Sequence, residues 1–339
     1  MGIGVIGIEH LHVFELVDGL VDAGARAARH AAAGDSLVDL YGTWQPDSVP
    51  GTVEEVLADP HVDVVVLAGV PADRADVAVA ALHAGKDVLS AKPAATTRAQ
   101  LDAVATAVTD TGRRWWVLFS ERFANPAVLR AVQLARSGAV GDVVHVETAA
   151  PHRLNPDERP QWFFDGERSG GIIVDLGTHQ VDQFLAATGA EPAEVAVLSS
   201  AVGSVRDWGD ASLAGFQDIG ELVLSAPGVR GHHRVDFLEP DGFPTWGDTR
   251  LVITGTDGRL EVRIAVGEDG QHEPAAVWVT DHRGVHRDDE VGPTTWASDL
   301  LADRADGGER FMSSDHPFAV TSLVLIAEQG ATGWGNGAA

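Results

Sequence analysis

Short apolar runs alternate with stretches of helical periodicity over the first 120 residues. The clearest run, 62–68, reads Val-Asp-Val-Val-Val-Leu-Ala, which is typical of a strand that helices cover on both faces of a parallel sheet. Further strands are predicted at 3–7, 37–44, 87–90 and 115–119, and helices at 13–21, 72–84 and 97–109, with Thr52 and Glu55 as the capping pair of one more. This alternation predicts βαβ units and a doubly wound parallel sheet, the Rossmann arrangement.

The second half of the chain has a different pattern, with many strands and few helices. Helices are predicted at 126–137 and 171–187, a closing helix at 315–329, and strands at 142–149, 193–204, 219–226, 230–238, 249–254, 258–264 and 275–281. Consecutive strands separated by turn signals predict an α+β domain on an open, mostly antiparallel sheet. Because single cores rarely exceed about 250–300 residues, we expect two domains, 1–121 and 122–330, and a flexible tail at 331–339.

Composition narrows the classes of function. The formal net charge of −26 argues against nucleic-acid binding, since such proteins carry basic surfaces. No window approaches the roughly 18–20 apolar residues of a membrane span, and no basic leader follows Met1, so a cytoplasmic protein is predicted. The chain has no cysteine, which excludes disulfides and thiolate metal sites. Only two of its 24 basic residues are lysines, Lys86 and Lys92, which suggests that an amine is required at one of them.

The loop after the first strand resembles a dinucleotide-binding loop only in part. It reads Gly7-Ile8-Glu9-His10-Leu11-His12, so the pattern G-x-G-x-x-G keeps its first glycine alone. The Glu9 carboxylate is unfavourable beside a diphosphate, and Gln45, after a predicted strand ending at Trp44, supplies no charge to bind a ribose. A Rossmann-like domain without a dinucleotide therefore stays open as an alternative.

A second motif points to acid–base chemistry. In the segment 169–179, Asp175 and His179 are four residues apart, so on an α-helix they share one face with Cβ atoms about 5–6 Å apart. A carboxylate beside an imidazole raises its pKa and orients it, as a general acid or base requires. Taken alone, such a pair is more often a surface pair, so its significance depends on the rest of the chain.

Several motifs together resemble the Gfo/Idh/MocA dehydrogenase family, which includes glucose-fructose oxidoreductase and inositol dehydrogenase. The segment 85–93, ending Ser90-Ala91-Lys92-Pro93, is similar to the strand that carries that family's Glu-Lys-Pro signature. Gly170-Gly171 with Asp175 and His179 matches its GG-x3-D-x3-H helix, and 121–123, 138–141 and 255–258 agree in order. The resemblance implies an NAD(P)-dependent oxidoreductase, with NAD favoured, that oxidises a secondary alcohol of a sugar or polyol reversibly.

The resemblance also implies residue roles. Lys92 matches the lysine between nicotinamide and substrate, His179 the general base toward the substrate hydroxyl, and Asp175 the residue that holds the substrate or His179. Cofactor contacts are expected from Gly7, Ile8, Glu9, His10, Trp44, Gln45, Ala68, Gly69, Val70, Pro71, Ala91, Lys92 and Glu121. Substrate contacts are expected from Arg122, His152, Trp162 and His179, and Trp246 is a candidate cap over the substrate.

Some positions depart from the family's pattern. Ala91 replaces its glutamate, Glu9 and His12 replace glycines, and Arg74 falls near a position where the family often has histidine. These departures put cofactor affinity and the choice between NAD and NADP in doubt.

Two other classes of function remain open. One is a non-catalytic ligand-binding or sensor protein on the same fold, and the other is a metal-dependent lyase or hydrolase using His152, Asp175 and His179. The favoured interpretation expects no metal and a small-molecule substrate. A homodimer or homotetramer is expected to form through the open sheet.

Overall fold

The computed structural model describes residues 1–32, 37–210, 213, 215–263 and 276–335. The chain divides into two compact units. Unit 1 comprises Met1–Leu118, Pro160–Gly170 and Thr295–Ser322, and unit 2 comprises Phe119–Arg159, Gly171–Thr294 and Leu323–Ala339. The sequence assigned 160–170 and 295–322 to the second domain, whereas both belong to unit 1.

The elements are numbered along the chain. The strands are β1 (Gly2–Ile8), β2 (Arg26–Ala31), β3 (Val49–Pro50), β4 (Val64–Ala68), β5 (Asp87–Ala91), β6 (Trp115–Leu118), β7 (Val143–Pro151), β8 (Ala196–Gly203), β9 (Ile219–Ala226), β10 (Val229–Asp236), β11 (Arg250–Gly255), β12 (Arg259–Arg263), β13 (Val277–Asp281), β14 (Gly284–Asp288) and β15 (Thr332–Gly333). The α-helices are α1 (His12–Asp22), α2 (Val38–Trp44), α3 (Val53–Ala58), α4 (Pro71–His83), α5 (Arg98–Thr111), α6 (Ser120–Phe123), α7 (Pro126–Arg136), α8 (Gly166–Ser169), α9 (Thr178–Thr188), α10 (Trp296–Asp306) and α11 (His316–Gln329). Among the described residues, no helix is long and apolar enough to cross a membrane.

Unit 1 is built on a six-stranded sheet in the order β3-β2-β1-β4-β5-β6, and all its strand pairs are parallel. Every residue of β4 is buried, as its β-branched composition predicts. The capping box of Thr52 and Glu55 forms at the start of α3. The strand order reverses between β1 and β4, where open α/β sheets bind ligands beyond the carboxyl ends of the strands. The predicted Rossmann arrangement is confirmed.

The prediction of a second strand at 37–44 is wrong, because these residues form α2. The second strand is β2, whose sequence Arg-Ala-Ala-Arg-His-Ala has no β-branched residue and owes its strand conformation to pairing with β1 and β3. Trp44 and Gln45 therefore lie at the end of a helix, with the Trp44 ring 5.0 Å from that of Phe14. Their predicted ribose contact loses its basis, and residues 33–36, which follow β2 closely, lie outside the described residues.

Unit 2 is built on a nine-stranded sheet in the order β14-β13-β12-β11-β7-β10-β9-β8-β15. Only the pairs β7–β10 and β8–β15 are parallel, so the predicted open, mostly antiparallel sheet is confirmed. Side chains alternate along β10, where Gly231, His233 and Val235 are buried and Arg230 and His232 are exposed. Helices α7 and α9 pack against each other and against this sheet, which leaves its other face bearing exposed side chains.

The sequence analysis also missed α10 and β14. Helix α10 packs on α1, where the ring of Trp296 fills the space beside Gly19 so closely that a Cβ there would collide with it. The residues at 332–333, predicted to be part of a flexible tail, pair with β8 as β15. Residues 336–339 lie outside the described residues.

Candidate functional site

In unit 1, the carboxyl ends of β1, β4 and β5 bring together many of the residues expected to bind the cofactor. Ile8 ends β1, Ala68 ends β4 and Ala91 ends β5. Gly7 has φ +81°, and a Cβ there would approach the backbone of Gly69 more closely than van der Waals contact allows. Glycine is therefore required where β1 meets the turn after β4, as expected where backbone must leave room for a ligand. Val70 and Pro71 continue that turn into α4, with Pro71 in its first turn.

The Glu9 carboxylate lies beside the point where Gly7 and Gly69 meet. Its Oε2 atom is 3.0 Å from the Cβ position of Gly7 and 3.3 Å from that of Gly69. The backbone of this edge therefore fits a dinucleotide, but the Glu9 carboxylate lies where a diphosphate would approach. Two like charges about 4 Å apart cost roughly 1 kcal/mol in water and about 4 kcal/mol at a protein surface. We expect the Glu9 carboxylate to weaken the binding of an anionic ligand at this edge.

Three aromatic rings, those of His10, His12 and Trp162, lie together at the loop after β1. The N–H of His12, at the start of α1, donates to Nδ1 of His10 over 3.2 Å, and the two rings are 4.2 Å apart. The ring of Trp162, predicted to contact substrate, is 6.3 Å from the ring of His10. Trp162 thus lies in unit 1, near the end of β1.

Lys92 directly follows β5 and is buried, at 4% exposure. Its peptide bond to Pro93 is cis. Lys86, the other lysine, donates from Nζ to the carbonyl oxygens of Asp59 and Val62, each over 2.8 Å. Lys86 thus helps to hold unit 1 together.

In unit 2, the segment that carries Asp175 is anchored at its first residues. Gly171 has φ +86°, and a Cβ there would lie 2.5 Å from Oε1 of Glu328. Oε2 of Glu328 accepts from the N–H of Ile173 over 3.2 Å, and Oε1 of Gln217 accepts from that of Ile172 over 2.9 Å. Gln217 Nε2 donates to Glu328 Oε1 over 2.9 Å. Burial raises the pKa of Glu328, while these donors partly oppose the rise.

Asp175 and His179 lie where a π-helical turn meets α9. The π turn spans Ile173–Gly177, and His179 is in the first turn of α9. The prediction of one regular α-helix at 171–187 is wrong at this point, so the spacing derived from α-helical geometry does not apply. Both side chains are buried, Asp175 at 8% exposure and His179 at 3%. Single π turns are frequent at functional sites.

Arg159 places a positive charge near Asp175. Burial lowers the pKa of the Arg159 guanidinium, while the carboxylates of Asp175 and Glu158 oppose that effect. Its Nε donates to the carbonyl oxygen of Leu154 over 3.0 Å. The sequence analysis did not identify Arg159, because 16 positions along the chain separate it from Asp175.

A buried polar cluster surrounds Glu121. Its Oε2 accepts from Nε2 of Gln180 over 3.0 Å and of Gln183 over 3.3 Å, which links α6 to α9. Its Oε1 is 3.7 Å from Nε2 of His152. Nδ1 of His152 donates to the carbonyl oxygen of Ala150 over 3.0 Å. Glu121, expected near the cofactor, and His152, expected near the substrate, are therefore neighbours in unit 2.

The loop before β11 covers one side of His152. The ring of Trp246 is 4.6 Å from the ring of His152, and its side chain is 44% exposed. The loop is held by two backbone bonds, from the N–H of Arg153 to the carbonyl of Trp246 over 2.8 Å and from the N–H of Glu239 to the carbonyl of His152 over 3.2 Å. An exposed, fixed indole face is a surface on which a sugar ring can pack.

Arg122, predicted to contact substrate, forms a buried ion pair with Asp182. Its Nε donates to Oδ2 of Asp182 over 2.7 Å and its Nη2 to Oδ1 over 2.5 Å. Its guanidinium also lies over the ring of Phe123, 3.7 Å from the centroid. This geometry engages Arg122 within unit 2, and its contact with substrate stays a prediction.

Within the ranges that the structure describes, no three histidine or carboxylate side chains are grouped so as to hold a metal ion. The grouping of His152, Asp175 and His179 that a metal-dependent lyase or hydrolase would require is therefore not found.

Comparison with known proteins places both halves of the chain in one family. Residues 1–119 match the model described as "Oxidoreductase family, NAD-binding Rossmann fold", and residues 128–261 match the GFO/IDH/MocA C-terminal domain. The crystal structure of a proposed oxidoreductase from Erwinia carotovora atroseptica is 33% identical, with a TM-score of 0.92 over 98% of this chain and 99% of that one.

Two curated relatives are more distant. A 1,5-anhydro-D-fructose reductase from Ensifer adhaerens is 29% identical over 62% of this chain and 59% of its own length. An inositol 2-dehydrogenase from Rhizobium meliloti is 26% identical over 81% of this chain and 79% of its own length. With both units matched and the Lys92, Asp175 and His179 motifs in place, this chain belongs to the Gfo/Idh/MocA family of oxidoreductases with an NAD-binding Rossmann fold.

Proposed function

We propose that this protein is an NAD(P)-dependent dehydrogenase that interconverts a secondary alcohol and a ketone on a sugar, polyol or related cyclic alcohol. The observation that carries the proposal is a pair of buried side chains, Asp175 on a turn anchored by Gly171 and Glu328 and His179 in the helix that follows. Buried titratable side chains are concentrated at functional sites, so this pair supports a catalytic role. The named activities of the sugar and inositol relatives support the same substrate class.

The catalytic group that we propose is Lys92, Asp175 and His179. His179 would take the proton from the substrate hydroxyl during oxidation and return it during reduction. Asp175 would orient His179 or a neighbouring hydroxyl, and Arg159 would place a positive charge near the Asp175 carboxylate. Lys92 would place a positive charge beside the oxygen that becomes negative as the hydroxyl proton leaves.

We propose that the cofactor binds along the carboxyl ends of β1, β4 and β5, against the backbone of Gly7, Gly69 and Ala91. When bound, its nicotinamide accepts or donates the hydride of the reaction. NAD is the form we favour, on the family's description as NAD-binding. Trp162, beside His10, would then close the loop after β1 over the ligand.

A sensor or ligand-binding protein is the second candidate, and Glu9 is the observation that favours it. A carboxylate folded over Gly7 and Gly69 weakens binding of an anionic cofactor. A protein that responds only to a neutral sugar would have no need of a buried acid–base pair. We therefore rank the sensor second.

We also propose that the protein forms a homodimer or homotetramer through the open face of the unit 2 sheet. A sheet with helices on one face only leaves the other to be covered. Light scattering at micromolar concentration should give two or four times the chain mass of 35.6 kDa. A mass of one chain would contradict this.

The catalytic assignment is tested by turnover of a panel of sugars and polyols with NAD and NADP. We expect His179→Gln and Lys92→Met to lower kcat by about 10²–10⁴-fold while remaining folded, the size typical of a lost acid–base group. His83→Gln, an exposed histidine at the end of α4, is the matched control and should retain full turnover. Normal turnover of His179→Gln would refute the assignment, and no turnover by the unmodified protein on any substrate would favour the sensor.

A further inference from the structure

A buried arginine ties together two strand ends of unit 1. Arg74 lies in the first turns of α4 and is 1% exposed. Its Nε donates to the carbonyl oxygen of Gly69 over 2.7 Å. Its Nη1 donates to the carbonyl oxygens of Ala91, Lys92 and Pro93 over 3.2, 2.7 and 2.8 Å. One guanidinium thus bonds four backbone carbonyls.

These four carbonyls belong to two segments, the turn after β4 and the residues at the end of β5 that carry Lys92. Gly69 follows β4 and meets Gly7 at the switch point of the sheet, and the other three carry Lys92 just beyond β5. Hydrogen bonds from a cation to a carbonyl are shorter and stronger than neutral ones, so the bonds resist displacement of either segment. The position of the Lys92 backbone is therefore set by a side chain 18 residues earlier in the chain.

Arginine is suited to this position by its shape. Its guanidinium is a rigid, planar fork whose Nε and Nη atoms can reach acceptors in two separate segments at once. A lysine ammonium is a single point of donation on a flexible stem and cannot span Gly69 and Pro93 together. A glutamine carries one amide group and no charge, so it would satisfy at most two of the four carbonyls.

We propose that Arg74 is a positioning residue that fixes the backbone of Lys92 and couples it to the cofactor-side turn at Gly69. The role in turnover rests on the proposed function of Lys92, whereas the structural coupling does not. In this proposal Arg74 acts on turnover through the Lys92 backbone to which it is bonded.

The composition of the chain makes the coupling directly observable. Lys86 and Lys92 are the only lysines, so protein labelled with ¹³C at lysine Cε gives two lysine signals. Lys86 donates to the carbonyl oxygens of Asp59 and Val62, which precede β4, and its signal serves as an internal reference. Substitution of either lysine with methionine assigns the two signals.

The experiment compares Arg74→Gln with Arg98→Gln, in which an exposed arginine of α5 paired with Asp102 is replaced. We expect the Lys92 signal to shift or broaden in Arg74→Gln while the Lys86 signal stays in place, and neither to change in Arg98→Gln. We also expect kcat to fall by about 10²-fold, the effect of a small displacement of a reacting group, with KM for the alcohol little changed.

Two unchanged lysine signals in folded Arg74→Gln would overturn the proposal, as would a shifted Lys92 signal with full turnover. If Arg74→Gln does not fold, Arg74→Lys is measured in its place. A Lys92 signal that does not move in Arg74→Lys would likewise overturn the proposal. If the unmodified protein has no dehydrogenase turnover but Arg74→Gln shifts the Lys92 signal, the proposed function fails and the coupling stands.

Discussion

The buried pair of Arg122 and Asp182 allows a quantitative test of how α6 is held to α9. Replacing Arg122 with methionine keeps most of its volume but leaves Asp182, whose side chain is fully buried, without its cation. Removing one partner of a buried pair costs about 3–5 kcal/mol of unfolding free energy. Because the Arg122 side chain is only 11% exposed, we expect Arg122→Met to fall in that range.

The double variant Arg122→Met/Asp182→Leu separates the ion pair from the packing. With both charges removed no buried carboxylate is left unpaired, so we expect the unfolding free energy to return to within about 1–2 kcal/mol of the unmodified protein. The control is Arg98→Met, which breaks an exposed pair with Asp102 and should cost less than about 1 kcal/mol.

Urea unfolding followed by tryptophan fluorescence measures these differences. A cost below about 1 kcal/mol for Arg122→Met, or no recovery in the double variant, would refute the argument. Turnover by the double variant also decides the earlier expectation for Arg122. Full turnover would show that Arg122 does not contact substrate.

Three further predictions follow from single side chains. Burial, with His232 and His145 adding to it, lowers the pKa of His233 to about 3, so below pH 6.5 the unfolded chain binds a proton there that the folded chain does not. Stability should therefore fall by about 2 kcal/mol between pH 7 and pH 5 from this residue alone, and urea unfolding of His233→Gln should lack that part of the loss. Gly171→Ala should lower the melting temperature more than Gly228→Ala. Both glycines have positive φ, but only at Gly171 would the added Cβ collide with the Glu328 side chain. Equal melting temperatures of the two variants would argue against the anchoring role of Glu328. Glu9→Gln should tighten NADH binding by about 5–10-fold in calorimetry, because it removes roughly 1 kcal/mol of repulsion; unchanged affinity would mean that the carboxylate already turns away.

The sequence predicted the elements whose local pattern agrees with their tertiary role. The run at 62–68 became β4 because β-branched residues buried on both faces are what a central parallel strand needs. It missed β2, whose alanines and arginines carry no strand signal and depend on pairing with β1. The sequence analysis also missed α10. Many of its residues are charged, and the helix is stabilised by packing on α1, which the local sequence does not reveal.

The candidate site was predictable where short motifs carry it. Lys92, Asp175 and His179 were identified from spacing and family resemblance, and the structure buries all three. The groups that hold them could not be found this way, since Glu328 bonds a segment 155 residues away and Arg74 one 18 residues away. The catalytic roles, the cytoplasmic location and the oligomeric state stay predictions.

The central claim is that this Rossmann unit binds a nicotinamide dinucleotide although Glu9 lies over its glycines. Titration of the purified protein with NADH and with NADPH, followed by quenching of its nine tryptophans and checked by calorimetry, tests it most directly. We predict saturable micromolar binding of at least one, with NADH the tighter. No binding of either to the folded protein would contradict the dehydrogenase account and leave the sensor as the better description.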